Sequence, residues 1–324
     1  FINMHCKICE KDSFFEKINT YKHVWFYCKK CKNIFSEKKI IKDSYLKEIL
    51  VNFLSKITKQ NRLKKLLLSN NTSTDKVYGY RNDITSDGNY FPSENNFDNK
   101  WSVYDKDFIN YLKNHNIDLN SKKILSVSDE PGLIVNELKK YTSINNITLT
   151  AFDQKTSNFM SEKLNCNVKK FDLNNDKLSE IVDEKFDLIF FRSTLNFNLN
   201  FESLLYELNK ISNDHSKIIF NFHSPTTASC LMWMFDDYTL LSLINIDYLK
   251  PIFKKNDFKI IFNNKVIFNP RKYYYNSISK KIFYYPFYLI YLIQFIIKNI
   301  LKKTEFKINT NEIVYKLVLK KEKI

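Results

Sequence analysis

The chain has 324 residues, a formal net charge of +16 and a pI near 9.3, a balance that points first to polyanionic partners. Of its 51 lysines and arginines, only Arg62, Arg81, Arg192 and Arg271 are arginine. Specific phosphate and base readout favours the bidentate guanidinium, so a solvated lysine surface accounts for the charge and nucleic acid is the less favoured partner.

Two Cys-x-x-Cys pairs open the chain, Cys6-Lys-Ile-Cys9 and Cys28-Lys-Lys-Cys31, with eighteen residues between them. Two such knuckles place four thiolates around a tetrahedral Zn2+, and the spacing suits a zinc ribbon over residues 1–42. Two disulfides are the competing pattern. Nothing in the first residues reads as a secretory leader, and Cys166 and Cys230 stand singly in apolar settings, which favours thiolates. His5 and His23 lie near the quartet, but four cysteines already complete the coordination. A closed set has no open position, so its zinc is expected to be structural. Some forty residues bury too little apolar surface to fold alone, and metal binding would supply the missing free energy.

Residues 43–100 read as a helix and then a linker or lid. Leu46, Ile49, Leu50, Phe53, Leu54 and Ile57 share one helical face, Asp43 or Ser44 suits the cap, and Lys64 and Lys65 suit the C-terminal dipole. Residues 71–99 turn polar, with Gly79, Gly88 and Pro92. A connection of that length is either disordered or functional. An amphipathic helix is expected over Trp101–His115.

From Lys122 onward, apolar segments end in polar or charged residues and alternate with helical patterns. They run Lys122–Ser128, Ile147–Asp153, Val168–Asp172 and Phe186–Arg192, and Lys217–His223 follows the periodic helix Phe201–Ser212. This alternation predicts βαβ units and a parallel sheet. Such sheets bind ligands beyond the carboxyl ends of their strands, so Ser128, Asp153, Asp172, Arg192 and His223 are expected to line one crevice. Asp153 suits a ribose, because a carboxylate accepts hydrogen bonds from both vicinal hydroxyls.

The order resembles the class I S-adenosylmethionine-dependent methyltransferases, over roughly residues 101–269 and 310–324. The resemblance implies an α/β, Rossmann-like seven-stranded sheet with S-adenosylmethionine as cofactor. It puts the cofactor's ribose on Asp153 and its adenine side near Asp172, while Phe186-Asp-Leu-Ile-Phe-Phe-Arg192 leads toward the substrate. The first motif departs from the family's acid followed by three closely spaced glycines. Here Ser126-Val-Ser-Asp-Glu-Pro-Gly132 keeps only Gly132 and carries Ser126 at the acid's place. Asp129 and Glu130 would favour the cofactor's sulfonium and amino charges and disfavour its carboxylate. A scaffold that has lost catalysis therefore stays open beside the enzyme. Ser126, Ser128, Gly132, Asp153, Asp172 and Arg192 are the candidate cofactor residues. In the resembling enzymes the region before the sheet often covers the substrate, which makes Tyr78, Tyr80 and Tyr90 lid candidates.

Phe258–Phe268 and Glu312–Leu319 read as the antiparallel hairpin that closes the family's sheet, which makes residues 270–309 an apolar helical insertion. Its run Ile282–Ile297 is sixteen residues long with Lys280, Lys281, Lys298, Lys302 and Lys303 on its flanks. A bilayer crossing takes about twenty apolar residues, so a helix lying in an anionic membrane interface is the first expectation and a lid or dimer helix the second. The family's frequent Glu-His pair after the fourth strand is here Asn196-Phe197, which cannot act as a base; His223 is the remaining candidate. Methyltransferases with N-terminal zinc modules act on nucleotide- or lipid-linked sugars or on ribosomal RNA. The expectation is methyl transfer to a sugar-type small acceptor by a cytoplasmic protein, peripheral at the membrane, with RNA as the alternative acceptor.

Overall fold

The computed structural model describes residues 2–19, 23–38, 105–129, 132–152, 154–192, 194–223, 242–266 and 314–321. The expected helix over 43–70, the lid tyrosines, Asp153 and the 270–309 insertion lie outside them.

The described N-terminal residues form four antiparallel strands, β1 (Ile2–His5), β2 (Asp12–Asn19), β3 (His23–Cys28) and β4 (Ile34–Lys38). Phe15, Trp25, Ile34 and Phe35 are buried at their centre, and Phe15 meets Phe35 edge-on at 5.6 Å. A fifth strand, β10 (Ser242–Leu243), extends this sheet by pairing Ser242 with Phe35 and Leu243 with Ile34. That strand comes from within the second unit, some two hundred residues further along the chain, and nothing in the sequence pattern announced it.

The second sheet has seven strands in the order β11-β12-β9-β8-β5-β6-β7. β5 (Ile124–Ser126), β6 (Ile147–Ala151), β7 (Asn167–Lys170), β8 (Phe186–Arg192) and β9 (Ser212–Phe222) are mutually parallel. β11 (Phe258–Val266) and β12 (Val314–Lys321) make the antiparallel hairpin, with β12 also antiparallel to β9. β9 begins earlier than its apolar run predicts, at Ser212, and its register against β8 shifts between Phe186 and Leu188.

Both faces of β5, β6, β8 and the second half of β9 are covered, so their residues read as largely apolar runs sorted by the pleat, whereas the edge strand β7 is exposed or half-buried. Leu188, Phe190, Ile219 and Val318 join one core with Phe108 and Leu112 of α1 (described over 105–114), Val135 and Leu138 of α2 (Val135–Leu138) and Met160 of α3 (Gln154–Leu164). Ile189, Phe191, Phe220, Leu317 and Leu319 join the other core. That second core takes Leu178 of α4 (Leu178–Ile181), the Phe201, Leu204, Leu205 and Leu208 stripe of α5 (Phe201–Lys210), and Leu249 and Phe253 of α6 (Ile246–Lys255). It also contains Phe15, Trp25 and Phe35 of the N-terminal strands, so the small sheet is docked on the same face as α5 and α6. Asn200 and Asn245 cap α5 and α6 by accepting from Ser203 N–H and Asp247 N–H, both at 3.0 Å.

Candidate active site and metal centre

The two knuckles are built alike. Glu10 N–H donates to Cys6 O (2.9 Å) and Lys32 N–H to Cys28 O (2.8 Å), while Cys6 N–H and Cys28 N–H reach Lys11 O and Asn33 O (3.1 and 2.9 Å). The residue after each second cysteine is left-handed, Glu10 at φ 51° and Lys32 at φ 58°, the conformation that turns the chain back under the sulfurs. The four Sγ atoms lie within 4.8 Å of one another, with Cys6 and Cys31 at 3.9 Å. Metal–sulfur bonds of about 2.3 Å give a tetrahedron with edges of about 3.8 Å. None of the four is in a disulfide, and the donor set fits a soft tetrahedral metal with no position left open. Hydrogen bonding among the sulfurs divides their proton affinities: it holds the Cys28 thiol far below its usual range, and the bond to Cys28 pushes Cys6 up to about 12. His5 faces Asp12 at 3.2 Å and is not one of the gathered ligands.

In the large sheet, β5 leads to β6 and β7 on one side and β8 and β9 lie on the other, so the strand order reverses between β5 and β8. Open α/β sheets bind ligands at this switch point. Ser126 and Ser128 leave β5 there and Arg192 ends β8. Arg192 is buried with its guanidinium between two carboxyls: Nη1 donates to Asp129 Oδ2 at 2.9 Å and Nη2 to Asp105 Oδ1. Ser126 Oγ donates to the same Asp129 oxygen at 2.6 Å. Phe108 lies under the guanidinium, 5.2 Å from Cζ to the ring centre. The acid of the first loop is thus turned inward and paired.

Ser128 is left-handed (φ 47°) and its N–H donates to Thr150 Oγ1 at 2.8 Å, yet its hydroxyl is buried with no hydrogen-bond partner among the described residues. Buried polar atoms are rarely left so, and a ligand at the switch point would supply what is missing. Gly132 (φ 77°) has another reason to be glycine. A Cβ there would meet Met160 Cε at 2.7 Å and Leu149 Cδ1 and Leu164 Cδ1 at 2.8 Å, so it serves the close approach of the loop to β6 and α3.

Asp172 follows β7 and organises a turn: Oδ1 accepts from Asn174 N–H (3.0 Å) and Oδ2 from Asn175 Nδ2 (2.9 Å). Asn174 Nδ2 in turn donates to Phe197 O (2.8 Å), tying this turn to the segment after β8. His223 is buried just past β9, with its N–H donating to Asn196 Oδ1 at 2.8 Å. Ser126 and Arg192 therefore meet in one network through Asp129, Ser128 is bonded separately to Thr150, Gly132 packs against β6 and α3, and Asp172 and His223 sit at the ends of β7 and β9. Asp105, Asp129 and Thr150 were not singled out for this network. The available signal was Arg192 itself: an arginine closing an apolar strand inside a sheet needs buried counter-charge.

No protein-family model and no curated protein matches the chain. Solved structures that resemble it include an S-adenosylmethionine-dependent methyltransferase from Mesorhizobium loti, 7% identical over 65% of this chain and 96% of that one, with a TM-score of 0.46. Another is the N-methyltransferase NodS from Bradyrhizobium japonicum in complex with S-adenosyl-L-homocysteine, 9% identical over 77% and 100%, TM-score 0.47. A third is a methyltransferase of the same kind from Clostridium acetobutylicum, 10% identical over 74% and 100%, TM-score 0.44. The seven-stranded sheet, five strands parallel and closed by an antiparallel hairpin, is a Rossmann-like α/β fold with the strand arrangement of class I methyltransferases.

Burial pushes Asp105 up to about 6 from an ordinary 3.8, and the Arg192 charge opposes this only in part. An acid whose folded value is raised binds its proton more tightly when folded. Its contribution is therefore present below about pH 4 and lost as pH rises through about 6. Wild type should gain stability relative to Asp105→Asn as pH falls from 6 to 4, by about 1–3 kcal/mol. Urea melts of both proteins across that range check the sign.

Proposed function

We propose that the protein transfers a methyl group from S-adenosylmethionine to a small sugar-type acceptor, nucleotide-linked or lipid-linked. The observation that carries the reading is the set of groups at the sheet's switch point. Ser128, whose buried hydroxyl has no hydrogen-bond partner among the described residues, and Arg192, a buried guanidinium flanked by carboxyls, follow or end the neighbouring strands β5 and β8. The Ser128 hydroxyl offers a hydrogen-bonding group to the cofactor's amino-acid end, while Arg192, Asp129, Asp105 and Ser126 pair with one another and form the wall behind it. Asp153 would take the ribose hydroxyls and Asp172 the adenine side. When bound, the cofactor supplies an activated methyl carbon. The chain's part is to align the acceptor and remove its proton, for which His223 is the candidate base.

Calorimetric titration with S-adenosylmethionine and its demethylated product tests the cofactor. Binding is expected, with Asp153→Ala weakening it by about 1.5–3 kcal/mol through loss of charged hydrogen bonds; absence of heat with either compound would leave the non-catalytic scaffold reading.

The four gathered thiols support zinc as the resident metal, with a structural part. Elemental analysis of protein purified without chelator should find about one zinc per chain, and Cys9→Ser should reduce that content. Disulfides between the pairs in native protein would refute it.

The acceptor class rests on the resemblance and on the apolar, lysine-flanked run 282–297. Among the described residues no helix is long and apolar enough to cross a membrane, and the proposed contact is interfacial. Intact protein should float with anionic vesicles, less so as salt rises, and replacing Phe287, Leu289, Ile290 and Ile293 with serine should abolish flotation. Flotation unchanged by those substitutions would remove the lipid-linked reading.

A further inference from the structure

We propose that the four-cysteine module is the fixed wall at the carboxyl end of β9, and that Asn196 is the positioning residue through which it sets His223. The role of His223 as base rests on the proposed function; the coupling between the cysteines and His223 does not.

Asn196 is fully buried and uses both ends of its amide on its neighbours' backbone. Its Oδ1 accepts the His223 N–H at 2.8 Å, while its Nδ2 donates to His223 O and to Ser242 O, each at 2.9 Å. One side chain thus grips both backbone polar groups of His223 and joins them to β10. The Ile244 N–H adds a second bond to His223 O at 3.3 Å, and Ser242 Oγ donates to Asn198 O at 2.8 Å. In an apolar surrounding these bonds have no water to exchange with, so moving one partner leaves a buried polar group unsatisfied.

From β10 the path runs into both knuckles. Ser242 and Leu243 are the last rung of the small sheet, paired with Phe35 and Ile34. The next residue but one, Asn245, donates its N–H to Asn33 Oδ1 at 2.6 Å; Asn33 is fully buried and accepts the Cys28 N–H on its own carbonyl at 2.9 Å. One turn along α6, the Tyr248 hydroxyl donates to Ile8 O at 2.8 Å, between Cys6 and Cys9. The start of α6 therefore holds one knuckle through Asn245 and the other through Tyr248. A metal that fixes the knuckles relative to each other fixes this anchor and, through β10 and Asn196, the backbone of His223.

The test uses the full zinc-loaded chain with carbon-13-labelled histidines. The chain has five histidines, and His223→Gln identifies the His223 resonance. Removing zinc with a chelator should move the His223 peak and leave those of His115 and His215 in place. Affinity for the demethylated cofactor should stay within about threefold, because the switch-point network lies on the opposite core. A His223 peak that stays put after zinc is gone overturns the proposal. If stripping shifts every histidine together, Asn33→Ala decides, since it keeps all four cysteines and removes only the acceptor for the Asn245 N–H. With zinc still bound, a moved His223 peak supports the coupling and an unmoved one overturns it. Failure of the chain to bind cofactor in the same samples would sink the methyl-transfer reading and leave the coupling intact.

Discussion

A guanidinium buried at the end of a strand is the constraint around which the large sheet's crevice is organised. Arg192 cannot be desolvated alone, since an isolated buried charge costs far more than any single packing contact returns. Two elements therefore bring it carboxyls: α1 contributes Asp105 and the loop after β5 contributes Asp129. That requirement sets the loop's path, turns its acid inward onto Ser126 and leaves Ser128 left-handed above Thr150. Removing one partner of such a buried pair would be expected to destabilise by about 3–5 kcal/mol. One guanidinium also cannot neutralise two carboxylates, and burial of Asp105 makes the surplus charge depend on pH near 6.

The small sheet shows a related logic with neutral groups. Its strands carry Phe15, Trp25 and Phe35 into the core shared with α5 and α6, yet the sheet is also joined to the rest by two asparagine amides and a tyrosine hydroxyl. Asn33 reaches Asn245, Asn196 holds β10, and Tyr248 reaches back to Ile8. Apolar burial supplies attraction with little direction. Hydrogen bonds from fully buried asparagines supply the register, because a slip by one residue would strand them.

Scarcity of glycine shapes the local backbone. With three glycines in the chain, left-handed positions fall to other residues: Glu10 and Lys32 after the knuckles, Ser128 in the switch-point loop, Asn116 after α1 and Asn165 after α3. For Glu10, Lys32 and Ser128 this costs about 1–2 kcal/mol relative to an unstrained residue, and less for the asparagines, whose short polar side chain tolerates the conformation. Gly132 stays glycine because three side chains occupy the place of its Cβ.

The central strands β5, β6 and β8 were legible because burial on both faces leaves apolar runs, and the edge strand β7 and the closing hairpin because short apolar stretches recur in the expected order. The cysteine quartet was legible because ligand spacing is local chemistry. Ser126, Ser128 and Arg192 could be placed at strand ends by counting, but not their partners. Asp129 read as a charge facing the ligand, and the structure turns it onto Arg192; Asp105 read as one position on an amphipathic helix. β10 was invisible, since two residues carry no periodicity and pair with a strand some two hundred positions earlier. Asn196 read only as the absence of a base. Its work as a crosslink appears when β9, β10 and the segment after β8 converge. Periodicity and spacing are written within one segment, whereas pairing of buried polar groups depends on which segments meet, and only the tertiary structure decides that.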